Sequence, residues 1–66
     1  MNVTVTGGSY TQGHTLALLR GFNDDGDSLF FAADWREGIE ILEALQAGEH
    51  VEVDIDAWQV TGMVKR

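Results

Sequence analysis

Glu52, Asp54 and Asp56 occupy alternate positions of one short segment, Glu37, Glu40 and Glu43 recur every third residue in another, and Glu49 stands between them. On a strand, alternate residues share a face and repeat every 6.8 Å or so, close to the separation of phosphates along a nucleic-acid strand. Such a row is suited to the cationic groove of a nucleic-acid-binding protein, and in the absence of a partner it is simply a solvated face. All eleven acids lie between Asp24 and Asp56, where Arg36 is the sole cation, so that window carries −10 of a chain whose net charge is −7. Like charges gathered in this way repel one another and favour a positively charged partner.

Other chemistry is sparse. His14 and His50 are the only imidazoles, and neither stands at a metal-ligand spacing from a second donor. Gly7, Gly8 and Gly13 lack the Lys-Ser/Thr of a phosphate-binding loop, and no helix follows them. Asn23-Asp24-Asp25-Gly26-Asp27 resembles part of a calcium loop, but alignment on Gly26 places Gly21 at the first ligand position and Ala32 at the twelfth, neither a ligand. No metal or cofactor is therefore expected. With 66 residues, a chain rarely encloses a pocket of a few hundred Å³, and an enzyme is not expected.

Sixty-six residues make one domain, of which folding buries only about 60% of the exposable surface. There is no cysteine, so neither a disulfide nor a thiolate metal site can staple the fold, leaving a tight apolar core or self-association. A homodimer is a natural expectation. Met1 is not followed by a basic segment and a long apolar run, which predicts a cytoplasmic protein that neither binds nor spans a membrane. Acidic, lysine-poor surfaces also occur in salt-loving organisms, yet residues 1–23 contain no acid at all.

These residues must be held by a small set of elements. Val3 and Val5 alternate with Asn2, Thr4 and Thr6, predicting a strand that ends at Gly7-Gly8, with a loop over 7–14 and Tyr10 at its tip. A second strand is predicted from His14 or Thr15 to Phe22. It stops at Asn23–Asp27, where Asn first and Gly fourth suit a type I turn closed by a left-handed glycine. That turn sets a register pairing Leu19 with Phe31, Arg20 with Phe30 and Gly21 with Leu29. One face of the hairpin, Ala17, Leu19, Leu29, Phe31 and Ala33, is then core. The opposite face shows Leu18, Arg20, Phe22, Phe30 and Ala32, of which Leu18, Phe22 and Phe30 form a candidate apolar or dimer face.

Asp34 followed by Glu37 forms a capping-box pattern, and Trp35, Gly38, Ile39, Leu42 and Leu45 recur at helical spacing, predicting a helix from Trp35 to about Ala47 that ends at Gly48. Gly38 on the inner face costs about 1 kcal/mol of propensity relative to Ala, which predicts a close crossing with the sheet. His50–Asp56 then alternates with Val51, Val53 and Ile55 inward. A turn near Asp56-Ala57 is expected to return the chain with Trp58 against Ile55 and Val60 against Val53.

The result is an α+β domain, a small five-stranded antiparallel sheet or partly open barrel with one helix, in the order β-β-β-α-β-β. This order resembles that of the OB-fold, whose helix lies between the third and fourth strands. The resemblance is topological. Four cations against eleven acids oppose the polyanion ligands such barrels bind. The leading expectation is a non-enzymatic interaction protein, an inhibitor that docks Glu37, Glu40, Glu43, Glu49, Glu52, Asp54 and Asp56 on a basic protein partner and does not itself bind nucleic acid. The alternative is a homodimeric ligand-binding or regulatory module using Leu18, Phe22 and Phe30, its acids serving solubility.

Overall fold

The computed structural model describes residues 1–10, 13 and 15–56 and the backbone of 59–65. The elements are β1 (Asn2–Tyr10), β2 (Leu16–Asn23), β3 (Ser28–Asp34), α1 (Trp35–Gln46), β4 (Val51–Asp56) and β5 (Gln59–Lys65). Strands β3, β2, β1 and β4 form an antiparallel sheet that curls into a half-barrel. The backbone of β5 runs antiparallel to β4 and meets β3 in one parallel pairing, Ala32 with Gln59, so the strand order β1-β2-β3-β5-β4 closes on itself.

The β2–β3 hairpin follows its turn. Asn23 N–H donates to the Asp27 carbonyl at 3.1 Å, Gly26 N–H donates to the Asn23 carbonyl at 3.0 Å, and Gly26 has φ +84°. The Asn23 side-chain oxygen accepts from the amides of Asp25 and Asp27 at 3.0 and 2.8 Å. Asn thus organises the loop from its first position while glycine takes the left-handed one. The resulting register pairs Leu19 with Phe31, Arg20 with Phe30 and Gly21 with Leu29.

The first strand does not end at Gly7-Gly8. It continues to Tyr10, and Thr6 is an extra residue between the pairs Val5–Gly21 and Gly7–Arg20, a β-bulge. The Thr6 hydroxyl donates to the Arg20 carbonyl at 3.3 Å. Gly7 and Gly8 therefore lie inside a strand, and glycine is required there by close approach: a Cβ on Gly8 would fall 2.5 Å from the Leu18 carbonyl oxygen. Tyr10 is the last paired residue of β1, opposite Ala17, and not a loop tip. The second strand begins at Leu16; His14 lies outside the described residues.

Helix α1 starts where its cap predicts. Asp34 has φ −51° and ψ 144°, and its carboxylate accepts from Arg36 N–H at 2.9 Å. At the other end Glu49 N–H donates to the Ala44 carbonyl and Gly48 N–H to that of Leu45, both at 3.0 Å, with Gly48 at φ +82°. These are the two bonds of a Schellman motif.

The rotation of the helix about its axis differs from expectation. Gly38, Ile41 and Ala44 are buried, Ile39, Leu42 and Leu45 half-buried, and Trp35 is 41% exposed. The reason is the crossing at Gly38, where a Cβ would fall 2.3 Å from the Ala17 Cβ. Packing Gly38 flat on β2 turns Ile41, one turn later, to the centre of the core and leaves Trp35 at the rim. There the Arg36 guanidinium lies 5.4 Å from its ring centroid, a cation–π contact.

Val3, Val5, Leu19, Phe31, Ile41, Val51, Val53 and Ile55 form the core between the curled sheet and α1. Two further expectations change. Ile55 pairs with Val60 and Val53 with Met63, because the β4–β5 ladder shifts between Asp54 and Ile55; Trp58 lies outside the described residues. Ala32, expected on the outer face of the hairpin, is fully buried where β5 runs beside β3.

Candidate functional site

Three surfaces carry the residues singled out above. The first is the outer face of β2–β3. Alternation along β2 turns Ala17, Leu19 and Gly21 inward and Leu16, Leu18, Arg20 and Phe22 outward. Leu18, Phe22 and Phe30 are 65%, 47% and 80% exposed. Across the sheet Arg20 lies between Gly7 on β1 and Phe30 on β3. Its guanidinium leans over Gly7, in the place a side chain would occupy, so Phe30 stays uncovered. A shallow cavity of about 170 Å³ lies beside it, lined by Gly8, Ser9, Leu18, Arg20 and Phe30. Carboxylates bracket the face, with Asp24, Asp25 and Asp27 in the exposed hairpin loop next to Phe22 and Asp34 opposite Leu16.

The second surface is the outer side of β4, where Asp54 and Asp56 are exposed. Glu52 differs from them: only 14% of its side chain is exposed. One of its oxygens accepts from the Asn2 amide at 2.7 Å and the other lies 3.3 Å from His50 Nε2. It ties β4 to the first residue of β1 and to the start of its own strand. Of the helical acids, Glu40 and Glu43 are exposed and Glu37 is half-buried, while Glu49 is exposed in the α1–β4 connection. Glu52 and Asp54 lie across from Thr4 and Asn2, whereas Glu43 opens beside the far half of β1. Glu43 is thus set apart from the carboxylates of β4.

The third surface was not anticipated. An open groove of about 620 Å³ runs between Thr6–Tyr10 of β1 and the side of α1 that carries Ile39, Leu42 and Glu43, with Arg20 at its rim. It exists because, among the described residues, β4 pairs with β1 only through Asn2, Val3 and Thr4, after which β1 has β2 alone as a partner. The signal for it was two glycines inside a strand-like stretch, which mark a bulge or a close approach as readily as a loop. No group of three potential metal ligands is found among the described residues.

No protein-family model matches the chain, and neither a curated protein nor a solved structure shows significant similarity to it. No helix among the described residues is long and apolar enough to cross a membrane.

Proposed function

We propose that this chain is a non-enzymatic interaction module that docks a basic protein partner on the outer face of its β2–β3 hairpin, centred on Leu18, Phe22 and Phe30. The observation that carries this reading is the exposure of Phe30, 80%, on the middle of a paired strand. Large apolar side chains gathered on one face of a small domain mark an interaction surface, and aromatic residues at the centre of such faces supply most of the binding energy. Two paired strands of about seven residues are roughly 23 Å long, a patch that serves as the apolar centre of an interface and not the whole of one. The carboxylates at Asp24, Asp25, Asp27 and Asp34 supply an acidic rim, which suits a partner with cations around an apolar patch. The order of elements resembles that of the OB-fold, in which the same face takes up ligands; this is an analogy for the surface and not for the ligand.

Capture from lysate on immobilised wild type, Leu18→Glu and Phe30→Glu proteins tests the reading. A basic protein retained by the wild type and lost from both variants is expected. Equal retention by Phe30→Glu would refute the assignment of this face. Sedimentation of the free protein adds a second discriminator, since self-association abolished by Phe30→Glu identifies the partner as a second copy.

A second reading, in which the outer carboxylates of β4 occupy a cationic groove as a nucleic acid would, rests on the exposure of Asp54 and Asp56 on one strand face. It predicts that Asp54→Asn with Asp56→Asn abolishes capture at low salt while Phe30→Glu does not.

A further inference from the structure

The last half of β1 has an open edge. Val3–Thr4 sit between β2 and β4, but among the described residues Gly7, Gly8, Ser9 and Tyr10 pair with Arg20, Leu19, Leu18 and Ala17 of β2 only. An unpaired strand edge presents a row of N–H and C=O groups whose complement is another extended backbone. Beside this edge lies the groove of about 620 Å³, whose opposite wall is formed by the half-buried Ile39, Leu42 and Leu45 of α1. Apolar side chains at alternate positions of an added strand would face that wall.

The groove also holds a cation that pairs with no carboxylate among the described residues. Arg20 reaches across the sheet so that its Nη2 and Cζ lie within about 3 Å of where a Gly7 Cβ would be. Its guanidinium has no carboxylate partner among the described residues, although the chain carries eleven acids. A guanidinium presents a planar fork of donors that matches a carboxylate. Glu43 on the other wall disfavours a run of acids, so charge complementarity selects one carboxylate at the Arg20 rim and an otherwise apolar or polar strand.

We propose that the open edge Gly7–Tyr10 receives an extended peptide as an added strand, with a carboxylate of that peptide on the Arg20 guanidinium and its alternate side chains on Ile39, Leu42 and Leu45. The four residues of free edge span about 13 Å, which sets the paired length at four to five residues. This site adjoins the Leu18, Phe22 and Phe30 face, sharing Gly8, Ser9 and Arg20 with the cavity beside Phe30, but its edge and its α1 wall are its own, and it stands whether or not that face has a partner.

The test is selection of a phage-displayed library of random peptides of about seven residues, with free C-termini, on the immobilised full chain. Enriched peptides are then synthesised with a fluorescent label and titrated by anisotropy. Enriched sequences should alternate in polarity and share a terminal or side-chain carboxylate. Affinity should fall at least about ten-fold for Arg20→Gln, as expected for loss of a charge-assisted pair. It should fall less for Arg20→Lys, which keeps the charge, and should change less than two-fold for Phe22→Ala, which trims the apolar face without placing a carboxylate beside Arg20. Circular dichroism of each variant checks that the fold is retained, and amide exchange at Gly7–Tyr10 should slow when peptide binds. Failure to enrich any peptide, unchanged binding by Arg20→Gln, or protection appearing only outside β1 and α1 would each overturn the proposal.

Discussion

Replacing Gly38 by Ala should destabilise this protein, although the same change on an exposed helix would stabilise it. Two opposed effects set the sign. Alanine has about 1 kcal/mol more helix propensity than glycine, and nothing about the backbone at Gly38 forbids it, since the residue lies inside α1. Against this, the added Cβ would stand 2.3 Å from the Ala17 Cβ. Carbon atoms rest at about 3.5–4.0 Å, so helix and strand must separate by roughly 1.3 Å. Ala17 cannot move aside: its Cβ is fixed to the backbone of β2, and the residue is completely buried.

Lifting the helix also loosens Ile41 and Ala44, which are 0% and 4% exposed on the same side of α1. Overpacking of this kind costs about 1–3 kcal/mol, so after the propensity gain the net loss should be up to about 2 kcal/mol. A domain of this size has a total stability of only about 3–10 kcal/mol, and each kcal/mol shifts the melting temperature by about 4–8 °C. Urea titration and thermal unfolding, both followed by circular dichroism, should therefore show a lower midpoint with an unchanged denaturant slope. The double variant Ala17→Gly with Gly38→Ala returns the second methyl to the space of the first. It should recover stability relative to the sum of the single changes by about 1 kcal/mol or more. A Gly38→Ala protein that is more stable than wild type would refute the crossing of α1 and β2 at these two residues.

Three further substitutions separate local from tertiary effects. Asp34→Ala removes the acceptor for Arg36 N–H and should cost about 1 kcal/mol in urea unfolding. Gly21→Ala would place a Cβ 2.1 Å from the Thr4 carbonyl oxygen, a backbone atom that no rotamer change relieves. A loss of about 3 kcal/mol or more is expected, visible as a protein unfolded at room temperature or melting far below wild type. Glu52→Gln keeps an acceptor for Asn2 but loses the His50 contact, and because that contact is partly exposed the change should stay below about 1 kcal/mol.

The charge segregation resolves into separate physical roles. Asp34 caps a helix, and Asp24, Asp25 and Asp27 occupy a loop whose geometry Asn23 and Gly26 dictate. Glu52 joins two strands. The exposed carboxylates of that loop also flank an apolar face, which is why partner binding is expected to combine an apolar centre with salt-sensitive steering.

Features that depend on neighbours a few residues apart were legible in the amino-acid order alone. The Asn-Asp-Asp-Gly-Asp turn set the β2–β3 register, because the left-handed glycine and the Asn side chain act within the loop. Asp34 and Gly48 bounded the helix, and alternation in Val51–Asp56 divided core from outer face. Gly38 was legible as a crossing, since an inner glycine in a helix otherwise only costs stability. Tertiary structure decided the rest. Local pattern does not say which backbone will approach Gly7 and Gly8, so the bulge, the length of β1 and the groove over Arg20 emerged only with β2 and α1 in place. Nor does helical periodicity choose among several apolar stripes. The contact of Gly38 with Ala17 turned Ile41 inward and Trp35 outward, and the pairing of β4 with the start and not the end of β1 set Glu43 apart from the carboxylates of β4. Pattern fixes which residues can share a face, whereas only close packing of distant segments selects which face is covered.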